Sequence, residues 1–201
     1  MRLVAAGLGH QFPGQPALFA DVSFELRPGA LYGLVGPSGS GKSTLLSILS
    51  GGLRPSAGSI EATGVDRIGW IMQNPVGAPR RTALDQVVVP LLARGISRDE
   101  AEPRARELLD RFELAHVEAR EFRRLSGGEA QRMCLARAAA SDYDAILIDE
   151  PTAQLDRDTA HTIGEVIREM VSQERIVVLA THDELLRSRC DQVIQLDPAA
   201  P

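Results

Sequence analysis

Apolar and polar residues follow two different periods along this chain, and the changes of period mark its elements. In the opening third, short apolar stretches at Leu3–Ala6, Val22–Leu26 and Leu31–Val35 are set off by Gly and Pro turns, which predicts strands. The third runs straight into a glycine-rich loop, after which Ser43–Leu49 carries good helix formers until Gly51-Gly52 stops them. From about Ala83 to Ala140 the pattern becomes helical, and Ser97-Arg98-Asp99-Glu100 has the form of a capping box opening a charged helix. Ala145–Ile148 is short and wholly apolar, as a strand buried on both sheet faces must be. Asp156 stands where it can cap a helix whose apolar residues Ile163, Val166, Ile167, Met170 and Val171 share one face. A further apolar run, Ile176–Leu179, ends at Thr181-His182, and Val193-Ile194 suggests a last strand. Strands alternating with helices imply an α/β fold with a mostly parallel sheet, whose ligands bind beyond the carboxyl ends of the strands.

Composition narrows the partners. With 201 residues and 44% hydrophobic content the chain can bury one core, with room for an inserted lobe. The formal net charge of -5 leaves no basic footprint, so nucleic acid is not an expected partner. The longest apolar runs, Val87–Ala93 and Ile176–Ala180, fall far short of the roughly 18 residues that cross a bilayer. Met1–Gly7 is apolar too briefly for a signal-peptide core, which makes a cytoplasmic location the expectation. Cys134 and Cys190 lack any metal or redox spacing and are expected to be buried small hydrophobes. His10, His116 and His161 likewise lack metal-like spacing, and Trp70 reads as a core residue of a strand.

Chemistry enters with Gly36-Pro37-Ser38-Gly39-Ser40-Gly41-Lys42-Ser43-Thr44, a GxxxxGK[ST] match between a predicted strand and a predicted helix. Its glycines let successive backbone N–H groups converge on a phosphate, and the helix start adds its dipole. Lys42 can reach the terminal phosphates, and Ser43 offers a hydroxyl to Mg²⁺. Downstream, the apolar run at Ala145–Ile148 delivers Asp149 and Glu150 to a strand end, where adjacent residues point to opposite sides. Asp149 is placed for the magnesium shell, and Glu150 to orient and deprotonate an attacking water.

Leu125-Ser126-Gly127-Gly128-Glu129-Ala130-Gln131-Arg132 then matches an LSGGQ-type signature, and over essentially its full length the chain resembles the nucleotide-binding domain of ABC ATPases. Gln73 resembles the family's Q-loop, Leu155-Asp156 the end of its D-loop, and His182 its switch histidine. The resemblance implies a single domain over 1–201. It has a P-loop NTPase core of mostly parallel sheet, an antiparallel N-terminal β part, and a helical subdomain inserted at about 76–140. It also implies ATP and Mg²⁺ as cofactors, with the loop Gly36, Ser38–Thr44 holding the nucleotide and Ser43, Gln73 and Asp149 serving the metal. Glu150, His182, Gln73 and Lys42 become the catalytic residues. Ser126, Gly127, Gly128 and Glu129 would act in trans, closing on ATP held by a second copy, with Asp156 in the D-loop between the sites.

Departures from the pattern qualify single roles. Where the family often has a tyrosine on adenine, this chain has Phe12, which can stack or simply pack in a core. The D-loop reads Ala153-Gln154-Leu155-Asp156 without the usual small polar residue, and Ala130 replaces a polar signature residue. Arg80-Arg81 follows the Q-loop, where family members meet their membrane partner, though such pairs are also common as solvated charge. Leu84-Asp85-Gln86-Val87 and Pro90-Leu91-Leu92 resemble the lipoprotein-releasing, macrolide-exporting and cell-division-associated group. The implied function is an ATP-hydrolysing homodimer, peripheral on the inner face of the membrane, that touches the bilayer only through a separate permease. The alternative is a soluble ABC ATPase acting on DNA or ribosomes.

Overall fold

The computed structural model describes residues 1–153 and 155–197. Gln154 of the predicted D-loop, and the tail from Pro198, lie outside them. The described residues form two compact units. The first comprises Met1–Trp70, Asp144–Glu150 and the described residues from Val171; the second comprises Ile71–Tyr143 and Pro151–Met170.

The first unit contains two sheets. In one, β1 (Arg2–Gln11) lies between β2 (Ala17–Leu26) and β4 (Ala57–Thr63), antiparallel to both. β1 and β2 are longer than the apolar runs that announced them, because register shifts after Ala5 and after Ala6 break the simple alternation. β4 carried no apolar signal at all: its residues are exposed apart from a half-buried Ile60, so backbone pairing alone makes it a strand. In the other sheet the order is β5 (Ile68–Ile71), β6 (Ala145–Asp149), β7 (Ile176–Ala180), β3 (Leu31–Val35), β8 (Gln192–Gln195). The pairs β6–β7, β7–β3 and β3–β8 are parallel. Every residue of β3, β6 and β7 is buried, which explains their unbroken apolar runs.

Helix α1 (Lys42–Leu49) follows β3 and buries Leu45, Leu46, Ile48 and Leu49 in a core shared with Leu3, Phe19, Leu34, Leu147 and Val178. Trp70 is half-buried and packs against that core, while its indole Nε1 has no hydrogen-bond partner among the described residues. Asp144 anchors the start of β6, accepting the N–H groups of Asp66 and Arg67 at 2.9 and 2.7 Å. Burial opposes the charge of its carboxyl, but those bonds and the nearby arginines hold it below the ordinary aspartate range. Cys190 is half-buried rather than fully buried; its Sγ packs against Gly33 of β3 and donates to Leu186 O at 3.4 Å.

The second unit is helical. α2 (Ala83–Ala93) packs against α3 (Arg98–Arg111) and α4 (Gly127–Ala140), and α5 (Arg157–Glu169) belongs to the same unit. α2 buries Val87, Val88 and Leu91, and α3 buries Ala101, Ala105 and Leu109 at four-residue spacing. The capping box expected at Ser97 does not form: the residue precedes α3 in an extended conformation, and its side chain makes no cap bond. Arg98 instead turns back to Asp85 and Glu102, at 3.1 and 2.9 Å. Asp156 does cap α5, accepting the Thr159 N–H at 3.0 Å.

Candidate functional site

The glycine-rich loop is shaped by contacts that only hydrogen side chains permit. A Cβ on Gly36 would stand 2.3 Å from the Leu196 carbonyl oxygen, and Gly41 holds a left-handed φ of 96° where a Cβ would meet Leu18 at 2.7 Å. Gly41 precedes Lys42, so the helix begins at the lysine and its first N–H groups open onto the loop. Lys42 is 8% exposed; its Nζ donates to Gly36 O at 3.0 Å and Pro37 O at 3.3 Å and stands 3.6 Å from Glu150 Oε1. A buried ammonium resting on its own loop's carbonyls is a cation held ready for a stronger anion. Ser40 is buried with its hydroxyl unpartnered among the described residues, and Ser38 and Gly39 are exposed on the loop's outer turn.

The two acids part company for a reason the strand pattern does not contain. β6 ends at Asp149, and Glu150 adopts a φ of 45°, a left-handed conformation costly for a residue with a side chain. Its N–H is fixed by the Ala180 carbonyl at 2.9 Å, so a twist, more than strand alternation, separates the carboxylates. Asp149 is 4% exposed, and its Oδ1 has no partner among the described residues. Burial raises its carboxyl above the ordinary aspartate range; the nearby Ser43 hydroxyl and Lys42 work against this, and neighbouring Glu150 adds to it. A buried carboxyl with an orphaned oxygen beside a serine hydroxyl is a hard-oxygen donor set of the kind that fits Mg²⁺.

Glu150 is held from both ends. Its Oε2 lies 2.8 Å from His182 Nδ1 and accepts the His182 backbone N–H at 3.3 Å, while Oε1 faces Lys42. Thus Lys42, Ser43, Asp149, Glu150 and His182 form one cluster at the carboxyl ends of β3, β6 and β7. Thr44 follows on α1. Phe12 does not pack in the core: it is 38% exposed, its ring edge-on to buried His10 with centroids 4.7 Å apart.

The second unit carries the remaining predicted residues. Gln73 is exposed just after β5. Ser126 caps α4 and closes a true capping box: its Oγ accepts the Glu129 N–H at 3.3 Å, and Glu129 Oε2 accepts the Ser126 N–H at 2.7 Å. Two N–H groups of the first turn are thereby satisfied, and those of Gly127 and Gly128, with no acceptor inside the helix, remain for an incoming anion. A Cβ on Gly128 would lie 2.8 Å from the tip of the Leu155 side chain, which would have to shift to admit it. Ser126, Gly127, Gly128, Arg132, Leu155 and Thr159 line an open cleft of ≈ 400 Å³. Sequence reasoning passed over His116 and Arg120, which both reach Glu129 at 3.3 and 3.2 Å. The S-x-x-E spacing of Ser126 and Glu129 was the available signal for the cap, and nothing local pointed to its basic partners.

Comparison with known proteins finds similarity in both sequence and fold. The family model described as ABC transporter matches residues 19–153. An uncharacterised ABC transporter ATP-binding protein of Mycobacterium tuberculosis (strain ATCC 25618 / H37Rv) is 40% identical over 193 residues. That match covers 89% of this chain and 58% of the relative, so the chain spans little more than half of it. The lipoprotein-releasing system ATP-binding protein LolD of Gluconobacter oxydans (strain 621H) is 39% identical over 195 residues, covering 89% of this chain and 84% of LolD. Among solved structures, the dimeric post-hydrolysis ATP-binding cassette MJ0796 bound to ADP and Pi superposes with a TM-score of 0.85 at 27% identity, over 98% of this chain and 97% of that one.

Proposed function

Because the chain belongs to the ABC transporter family and is an ATP-hydrolysing cassette of it, we propose that it is the MgATP-driven motor subunit of a membrane complex. Two copies pack head to tail, each phosphate loop holding an ATP whose γ-phosphate is closed over by Ser126, Gly127 and Gly128 of the other copy. The observation that carries the reading is the Glu150 carboxylate, fixed between Lys42 and His182 at the end of the strand beside the phosphate loop.

Lys42 exchanges the Gly36 and Pro37 carbonyls for phosphate oxygens, which frees Glu150 Oε1. That oxygen accepts the proton of a water attacking the γ-phosphate, while Oε2 stays anchored on His182. Ser43 and Asp149 would hold Mg²⁺, which when bound neutralises phosphate charge. Gln73 would help hold the metal and orient the attacking water, His182 would contact the γ-phosphate, and Asp156 would link the two sites. Phe12 offers its exposed ring to adenine, a contact without the hydroxyl a tyrosine would add.

Among the described residues no helix is long and apolar enough to cross a membrane. The likeness to LolD, the ATP-binding protein of a lipoprotein-releasing system, supports the lipoprotein-releasing, macrolide-exporting and cell-division-associated group. Capturing Glu150→Gln protein with ATP from detergent-solubilised native membranes, followed by mass spectrometry, tests this. A stoichiometric permease is the expected result; recovery only with ribosomes or DNA would move the function to the soluble alternative.

A further inference from the structure

Glu129 stands where the LSGGQ pattern has a neutral glutamine, one turn from the N–H groups that receive an anion. Its side chain is only 13% exposed. Burial opposes its charge, but the hydrogen bonds with Ser126, then Arg120 and His116, outweigh burial and hold the carboxyl below the ordinary glutamate range. It is therefore ionised at neutral pH, and a bare carboxylate there would repel a triphosphate.

We propose that Arg120, assisted by His116, is the counter-ion that allows a glutamate to serve in this anion-receiving turn, and so is a positioning residue for the trans phosphate contact. The inference rests on the head-to-tail reading above. Arg120 NH1 donates to both Glu129 oxygens at 3.2 Å, and His116 Nε2 stands 3.3 Å from Oε1. The guanidinium does not reach in from a loose loop. Arg120 O accepts the Ala83 N–H at 2.9 Å and Arg120 N donates to Val117 O at 2.9 Å, so its backbone is pinned to the start of α2. Glu129 Oε2 meanwhile orders Ser126 N, and Ser126 Oγ accepts the Glu129 N–H. Arg120 thus cancels the charge of the carboxylate while leaving its capping role intact.

The test is a double-mutant cycle in the Glu150→Gln background, measuring by analytical ultracentrifugation the ATP concentration that half-dimerises the chain, with ATP binding to the monomer titrated separately. Arg120→Ala should raise that concentration about 10-fold without changing monomer affinity, and Arg120→Lys should restore most of the loss. With Glu129→Gln present, the same Arg120→Ala change should matter by less than about twofold, since no charge is left to cancel. An equal loss in both backgrounds would make Arg120 a merely structural residue, and no loss with Glu129 in place would also overturn the proposal. A parent chain that never dimerises on MgATP would sink the head-to-tail reading, and this inference with it.

Discussion

His182 Nδ1 lies 2.8 Å from Glu150 Oε2, the same oxygen that accepts the His182 backbone N–H. With Lys42 at 3.6 Å from the other oxygen, the carboxylate is oriented before any water or nucleotide arrives. Its left-handed backbone, φ 45°, is a cost the fold carries to hold it there. Such preorganisation suits the base proposed for this site, and it makes the consequences of single substitutions specific.

Glu150→Gln keeps the shape and the Lys42 and His182 neighbours but cannot accept a proton. Steady-state phosphate release should fall by about 10²-fold or more, while ATP still binds and the protein accumulates as a dimer in size-exclusion chromatography. Turnover near that of the wild type would remove Glu150 from the role of base.

Lys42→Ala removes the buried ammonium from Gly36 O and Pro37 O and leaves the glycine turns in place. Equilibrium titration should show ATP affinity reduced by about 10-fold or more, with the circular dichroism spectrum unchanged. Unaltered affinity would contradict the cradle assignment.

Asp149 keeps its proton in the folded chain at pH values where the unfolded chain has released it, because burial raises its carboxyl. Between the ordinary aspartate value and the raised one the folded state binds more protons, so this contribution to stability, full below that window, is lost as pH rises through it. Asp149→Asn should therefore melt higher than the wild type in metal-free buffer near neutral pH, with the advantage vanishing below about pH 4. Magnesium with ATP should raise the midpoint of the wild type and not that of the variant. A variant that melts lower at neutral pH would show that the orphaned Oδ1 is no liability.

Ser126→Phe blocks the α4 turn and removes the cap hydroxyl, costing about 1 kcal/mol of stability from the cap alone. Hydrolysis and dimer closure should stop while ATP binding to the monomer, followed by fluorescence titration, stays intact. Loss of monomer binding would place Ser126 in the cis site and refute the trans assignment.

Gly36→Ala drives a methyl group to 2.3 Å from the Leu196 carbonyl oxygen, a backbone atom with no rotamer to yield. Chemical denaturation should register a loss of about 3 kcal/mol or an insoluble product. A change under about 0.5 kcal/mol would mean the loop relaxes freely and its shape is not fixed by the neighbouring strand.

Much of the fold was legible because burial on both faces writes itself into sequence: β3, β6 and β7 are unbroken apolar runs and were read at once. β4 was invisible for the opposite reason, its exposed residues leaving only backbone pairing to define it. At Ser97 the spacing of a capping box was present, yet the serine side chain makes no cap bond, and the structure gives no local reason for it. At Ser126 the same spacing forms the cap, because Glu129 is pinned by Arg120 and His116 from other segments.

The sequence by itself determined the chemistry: a phosphate loop between strand and helix, an acid pair after a buried strand, a signature turn and a histidine after the next strand. These depend on short spacings that the covalent chain enforces. Tertiary structure alone decided the charge environment. It turned Glu150 out of the strand at a left-handed φ, placed it between Lys42 and His182, left Asp149 with an orphaned oxygen, and paired Glu129 with two basic residues. Those relations depend on how separate elements come together, and through-space electrostatics depends on distance and burial, which no local pattern records.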